Sequence, residues 1–178
     1  MAGPDYRLRR RLEEITEAQD ESQYLAMTVS VARDFPNTIV LLDSPYPIQR
    51  YTCVMHVFEF TGKTEYEAIA RRGFNVVFAG PTFVQWLLEK GSLTEVAEHE
   101  ARDGDLIVYS DDHGRVKHAG LTRPGRRVES KWGKGGLFEH GVFEVPVSYG
   151  NNARFFSNMS YKEAFRQFGC FARERGML

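Results

Sequence analysis

Apolar residues recur at Leu8, Leu12 and Ile15, just after Pro4-Asp5. This i, i+4, i+7 spacing predicts an amphipathic helix with Asp5 as its cap. Residues 23–42 are ambiguous, because Tyr24, Leu25, Met27, Val29 and Val31 fit either a helix or a strand. Ile39-Val40-Leu41-Leu42 predicts a buried strand, stopped by Asp43-Ser44-Pro45. Pro45-Tyr46-Pro47 then forces an extended loop. The mostly apolar run Thr52–Phe60 fits a strand by composition, but the preferred reading is a buried helix with Thr52 as N-cap. Thr64-Glu65-Tyr66-Glu67 is a capping-box pattern and predicts a helix ending near Gly73. Pro81 opens another, carrying Phe83, Val84, Trp86 and Leu87 and stopped by Gly91.

Beyond residue 100 the pattern changes from helical to extended. Asp105–Tyr109, Arg115–Thr122 and Arg127–Trp132 predict three strands, separated by turns at Asp111–Gly114 and Pro124-Gly125. Val142–Val147 predicts a fourth strand and Ala153–Phe156 a fifth. A second capping box, Ser160–Glu163, opens a C-terminal helix that buries Ala164, Phe165, Phe168 and Phe171. Helices followed by an antiparallel meander indicate an α+β fold.

A net charge of −1 lacks the basic footprint that nucleic-acid binding needs. Two cysteines cannot make a disulfide framework, so both are expected as free thiols in a reducing compartment. No apolar leader precedes the charged stretch Arg7–Glu14, and no run approaches the length of a membrane span. The expected location is therefore cytoplasmic, with export by a dedicated secretion route left open.

Candidate chemistry centres on Cys53. A helix start lowers a thiol pKa and offers free main-chain N–H groups to an oxyanion. His118, mid-strand in Val116-Lys117-His118-Ala119-Gly120, is placed to act as its base. A loop of two or four residues around Pro124-Gly125 puts Glu129 and Lys131 on the face of His118, and Glu129 then accepts its ring N–H. A three-residue loop flips the parity and favours Ser130. Glu129 is the preferred orienting residue. Zinc is not expected, because His113 and His118 lie roughly 16 Å apart along an extended chain.

These residues carry a resemblance. Cys53 at a helix start, Gly104-Asp105-Leu106-Ile107-Val108-Tyr109 and His118-Ala119-Gly120 together resemble the NlpC-type cell-wall peptidases of the papain-like superfamily. The likeness spans roughly residues 45–150. Glu129-Ser130-Lys131-Trp132-Gly133, His140 and Val145–Gly150 look like a bacterial branch of that superfamily. Two departures stand out. Thr52-Cys53-Val54-Met55 replaces the usual Asp-Cys-Ser-Gly, and Glu129 stands where a third catalytic His is common, as in the related cysteine-and-histidine amidohydrolases.

The resemblance implies a papain-like (NlpC-type) fold, with N-terminal helices packed on an antiparallel β-sheet. Residues 1–44 are then an N-terminal helical extension and 45–178 the hydrolase domain. It also implies a thiol hydrolase, peptidase or amidase, that cleaves an amide bond without a cofactor or metal. Gln49, Tyr51, Thr52 and Lys131 are candidates for oxyanion or substrate contacts. Plain structural alternatives exist: Cys53 and Cys170 as packing residues, His118 as a hydrogen-bonded strand histidine, Glu129 as a partner of Lys131, Lys117 or Arg127, and His56 and His140 as structural. Two further functions compete, a non-catalytic binding or structural module and a Cys-dependent acyltransferase or deamidase. The basic residues of 115–134 read either as a solvated face or as a surface for an acidic partner.

Overall fold

A computed structural model describes residues 5–17, 20–44, 46–47, 50–70, 79–133 and 135–176. Among them the elements run α1 (Tyr6–Glu17), α2 (Glu21–Asp34), β1 (Val40–Leu42), α3 (Cys53–Val57), α4 (Thr64–Ala70), α5 (Pro81–Glu89), β2 (Thr94–Val96), β3 (Leu106–Ser110), β4 (Val116–Arg123), β5 (Arg127–Lys131), β6 (Leu137–Gly141), β7 (Asn152–Ser157) and α6 (Tyr161–Glu174). A short 3-10 turn, Val147–Tyr149, precedes β7. The seven strands form one antiparallel sheet in the order β1-β6-β5-β4-β3-β7-β2. The fold is α+β, as the element order predicts.

The helices start where the chain supplies caps. The Asp5 carboxylate accepts from the N–H groups of Arg7 and Leu8, and Asp20 accepts from Gln23. Thr52 Oγ1 accepts from Met55 N at 3.1 Å, and Ser160 accepts from Glu163 N. Pro81 stands at the first position of α5, where a missing N–H does no harm. Residues 23–34 resolve as helix, while the predicted end of α4 near Gly73 lies outside the described residues.

Side chains alternate across β3. Leu106 and Val108 enter a core built with α3, α4, α5 and α6, while Ile107 and Tyr109 enter a second core with α1 and α2. Both faces of the sheet are therefore covered, and β3 is buried throughout. Two strand expectations need correction. Residues 39–42 are not a buried strand: β1 is an edge strand, and Val40 is half exposed. Val142–Val147 is turn and loop, and the strand lies earlier, at Leu137–Gly141. Among the described residues no helix is long and apolar enough to cross a membrane.

Candidate functional site

Cys53 is the first residue of α3, and Thr52 caps it as expected. The helix has only five residues before Phe58 and the left-handed Glu59 (φ 57°) turn the chain away. So short a helix carries little dipole, and burial dominates. Burial pushes the Cys53 thiol up, against hydrogen bonding from the Ala119 and Val54 main chain and the nearby charge of Lys131.

The sheet opens where this thiol sits. β4 and β5 pair from Arg123↔Arg127 to Leu121↔Glu129, and the register ends before it reaches His118. Ala119, in the opened stretch, lies in the core cluster against which Cys53 packs. His118 itself is 2% exposed and lies opposite Tyr109 on β3. Its imidazole stacks on Tyr149, with centroids 3.9 Å apart and planes 13° apart. Burial holds the imidazole well below its ordinary pKa, and the neighbouring His140 and Lys131 charges push the same way. His118 Nε2 is buried without a hydrogen-bond partner.

Glu129 does not orient His118. The β4–β5 turn has three residues, 124–126, with Arg126 left-handed at φ 61°, so the parity is the alternative one. Glu129 Oε1 instead meets His56 Nε2 at 2.8 Å, and Arg123 grips the carboxylate through Nε and a terminal nitrogen, both at 3.0 Å. The His56 hydrogen bond first, then Arg123, holds the Glu129 carboxyl down at about 2 despite partial burial.

Ser130 takes the inward position but spends its hydroxyl on His140 Nε2, at 2.8 Å. His140 Nδ1 faces Gly141 O at 2.8 Å, so Nδ1 carries the proton and Nε2 accepts from Ser130. Trp132 Nε1–H donates to Ser130 Oγ at 3.0 Å and completes a satisfied buried chain. Burial holds His140 down at about 4.

A family model described as a domain of unknown function, DUF7689, matches residues 48–157, more than half of the chain. The chain belongs to the DUF7689 family. No curated protein and no solved structure matches it.

The DUF7689 segment holds Cys53, His118 and the remaining predicted contacts. Lys131 is wholly buried; its ammonium donates to Gly133 O at 2.5 Å and lies 5.3 Å from the Tyr51 ring centroid. Burial lowers it to about 8, against the opposing pull of Cys53. Lys131 therefore belongs to the thiol site. Tyr51 and Thr52 do not offer free hydroxyls to an oxyanion. Tyr51 Oη pairs with Ser44 Oγ at 2.6 Å, and Thr52 Oγ1 donates to Ala79 O at 2.6 Å while capping α3. Gln49 lies outside the described residues.

Cys170, half-buried on α6, packs against the first core. A cavity of ≈360 Å³ opens beside His56, Glu129, Arg123 and Tyr46. The Tyr51 ring connects it to the thiol site, lying 6.3 Å from His56 and 6.2 Å from Tyr46. Among the described residues no three His, Cys, Asp or Glu side chains group to hold a metal ion. Sequence reasoning noted the Val145–Gly150 stretch but gave its Tyr149 no role, and it missed the His56–Glu129 pair.

Proposed function

We propose that this DUF7689 protein is a cysteine hydrolase of papain-like, NlpC-type fold, a peptidase or amidase acting on an amide bond. The observation that carries the reading is that Cys53, the first residue of α3, packs in the same core as Ala119, the residue next to His118, and acts electrostatically on Tyr149, whose ring stacks on the His118 imidazole. Burial raises the thiol and lowers the imidazole, so the pair rests neutral. In this reading His118 removes the thiol proton as sulfur attacks the carbonyl carbon. The tetrahedral oxyanion collapses, the C–N bond breaks, and the amine leaves with the proton from His118. Water, deprotonated by His118, then hydrolyses the thioester and frees the acid and Cys53. The Lys131 ammonium offsets negative charge on sulfur during both steps.

A second reading is a non-catalytic module on the same fold, and the near-complete burial of His118 favours it. Iodoacetamide labelling of Cys53 and Cys170 from pH 5 to 9, in wild type and His118→Ala, separates the two. A hydrolase shows Cys53 alkylated faster than Cys170 at neutral pH, with a rate that falls when His118 is removed. Equal labelling in both proteins, rising only at alkaline pH, favours the module.

A further inference from the structure

Helix α1 lies outside the DUF7689 match, yet its side chains reach the turn that carries Tyr149. Arg9 is wholly buried, which for a guanidinium requires donors to be satisfied. Its Nε donates to Val145 O at 3.0 Å, and its terminal nitrogens donate to Asn151 Oδ1 at 3.0 Å, Pro146 O at 3.3 Å and Gly150 O at 2.5 Å. All four acceptors belong to residues 145–151, the segment that contains Tyr149. One turn further along α1, the Glu13 carboxylate accepts from the Ser148 N–H and, at 2.9 Å, from its hydroxyl. β3 closes the turn from the other side. Gly150 is left-handed (φ 96°), and a Cβ there would fall 2.1 Å from Ser110 O. Tyr149, held in this way, lies parallel to the His118 imidazole on one side, while Tyr109 flanks the ring at 5.8 Å.

We infer that α1 is a working part of the Cys53 site: Arg9 and Glu13 fix the Tyr149 turn, and the Tyr149 ring fixes the plane of the His118 imidazole. The inference rests on the hydrolase reading for its purpose, although the positioning itself is a property of the fold. Arg9, Glu13 and Tyr149 are positioning residues. Lysine cannot replace Arg9, because an ammonium has no planar fork to serve acceptors spread along seven residues. For Tyr149 the ring is the working part, since it is the ring that stacks on the His118 imidazole.

The test compares full-length wild type with Arg9→Lys, Tyr149→Leu, Tyr149→Phe and His118→Ala. Two quantities are read, the long-range ¹H–¹⁵N imidazole spectrum of His118 and the alkylation rate of Cys53. Arg9→Lys and Tyr149→Leu are expected to shift or broaden the His118 ring signals and lower the His118-dependent part of the alkylation rate by about tenfold. Tyr149→Phe is expected to keep the ring signals of wild type. If Arg9→Lys fails to fold, Tyr149→Leu decides alone, because it leaves the four acceptors of Arg9 in place. Folded Tyr149→Leu with wild-type His118 signals overturns the inference. Should His118→Ala leave alkylation unchanged, the hydrolase reading falls, and the ring signals still decide whether α1 positions His118.

Discussion

The Lys131 ammonium lies 5.3 Å from the centroid of the Tyr51 ring, inside the fold rather than on its surface. A cation–π contact and one hydrogen bond to Gly133 O do not replace the water an ammonium gives up. Its pKa falls to about 8, so the folded state binds the proton less tightly than the unfolded chain. The penalty is fully present below about pH 8 and vanishes as pH rises past the unfolded value of about 10.4. Lys131→Met is therefore expected to stabilise the protein by about 1–3 kcal/mol at pH 7 in urea unfolding. The gain should disappear by about pH 10–11. The same variant should slow Cys53 alkylation, the mark of a residue kept for function against stability. A less stable Lys131→Met at pH 7 would make Lys131 a structural contact only.

His140 titrates in the opposite half of the pH scale. It is buried as the neutral tautomer and held down at about 4, mainly by burial. Between the unfolded value of about 6.5 and pH 4 the unfolded chain binds the extra proton, so stability is whole above pH 6.5 and is lost as pH falls towards 4. The loss attributable to His140 is about 3 kcal/mol at pH 4, and His118 adds to it in the same direction. His140→Asn should flatten the slope of unfolding free energy between pH 6.5 and 4. It should also destabilise at pH 7, because Ser130 Oγ loses its acceptor. An unchanged slope would show that neither state senses this proton.

Glu129 works lower still. Its carboxyl is held at about 2, so the stabilisation from His56 and Arg123 is complete above about pH 4.5 and is lost as pH falls towards 2. Glu129→Gln removes the charge while keeping an amide oxygen for one donor, leaving half-buried Arg123 short of its bidentate partner. A loss of about 2–3 kcal/mol at pH 7 is expected, shrinking below pH 4. Cys53 alkylation should keep its dependence on His118, since Glu129 does not touch that ring. A Glu129→Gln protein whose alkylation no longer depends on His118 would reinstate Glu129 in the site.

Caps and apolar periods made α1, α5, α6 and β3–β5 readable, because each signal lies within a few residues of what it specifies. β6 was not readable: Leu137-Phe138-Glu139-His140-Gly141 follows Gly133, Gly135 and Gly136, and glycines so spaced look like loop. Here they fit close approaches instead. A Cβ on Gly135 would meet Ile15 O at 2.7 Å, and one on Gly136 would meet Leu41 at 2.7 Å. Cys53 and His118 stood out through their residue types and neighbours. The partner of Glu129 hung on one residue of turn length, which Pro124-Gly125 alone does not set. Tyr149 and Arg9 act across 31 and 136 or more residues of chain, a distance no local pattern spans.

Gly120 tests how tightly the opened sheet is built around His118. It shares the strand face of His118 and packs against β5 with no room to spare. A Cβ there would lie 2.8 Å from Val128 Cγ1 and 3.0 Å from both Glu129 O and Ser130 Cβ. Two of these contacts are main chain or the root of a side chain, so they cannot rotate away, and β5 must move as a strand. Gly120→Ala is therefore expected to cost about 1–3 kcal/mol in urea unfolding. Moving β5 also shifts Lys131 and Ser130, which sit on opposite faces of that strand. The thiol should then lose its nearby ammonium, and Cys53 alkylation should slow even in the fraction that stays folded. Gly120→Ala with wild-type stability and wild-type alkylation would show that the strands yield freely at this point. The narrow gap between β4 and β5 would then not be what holds Cys53 against Ala119.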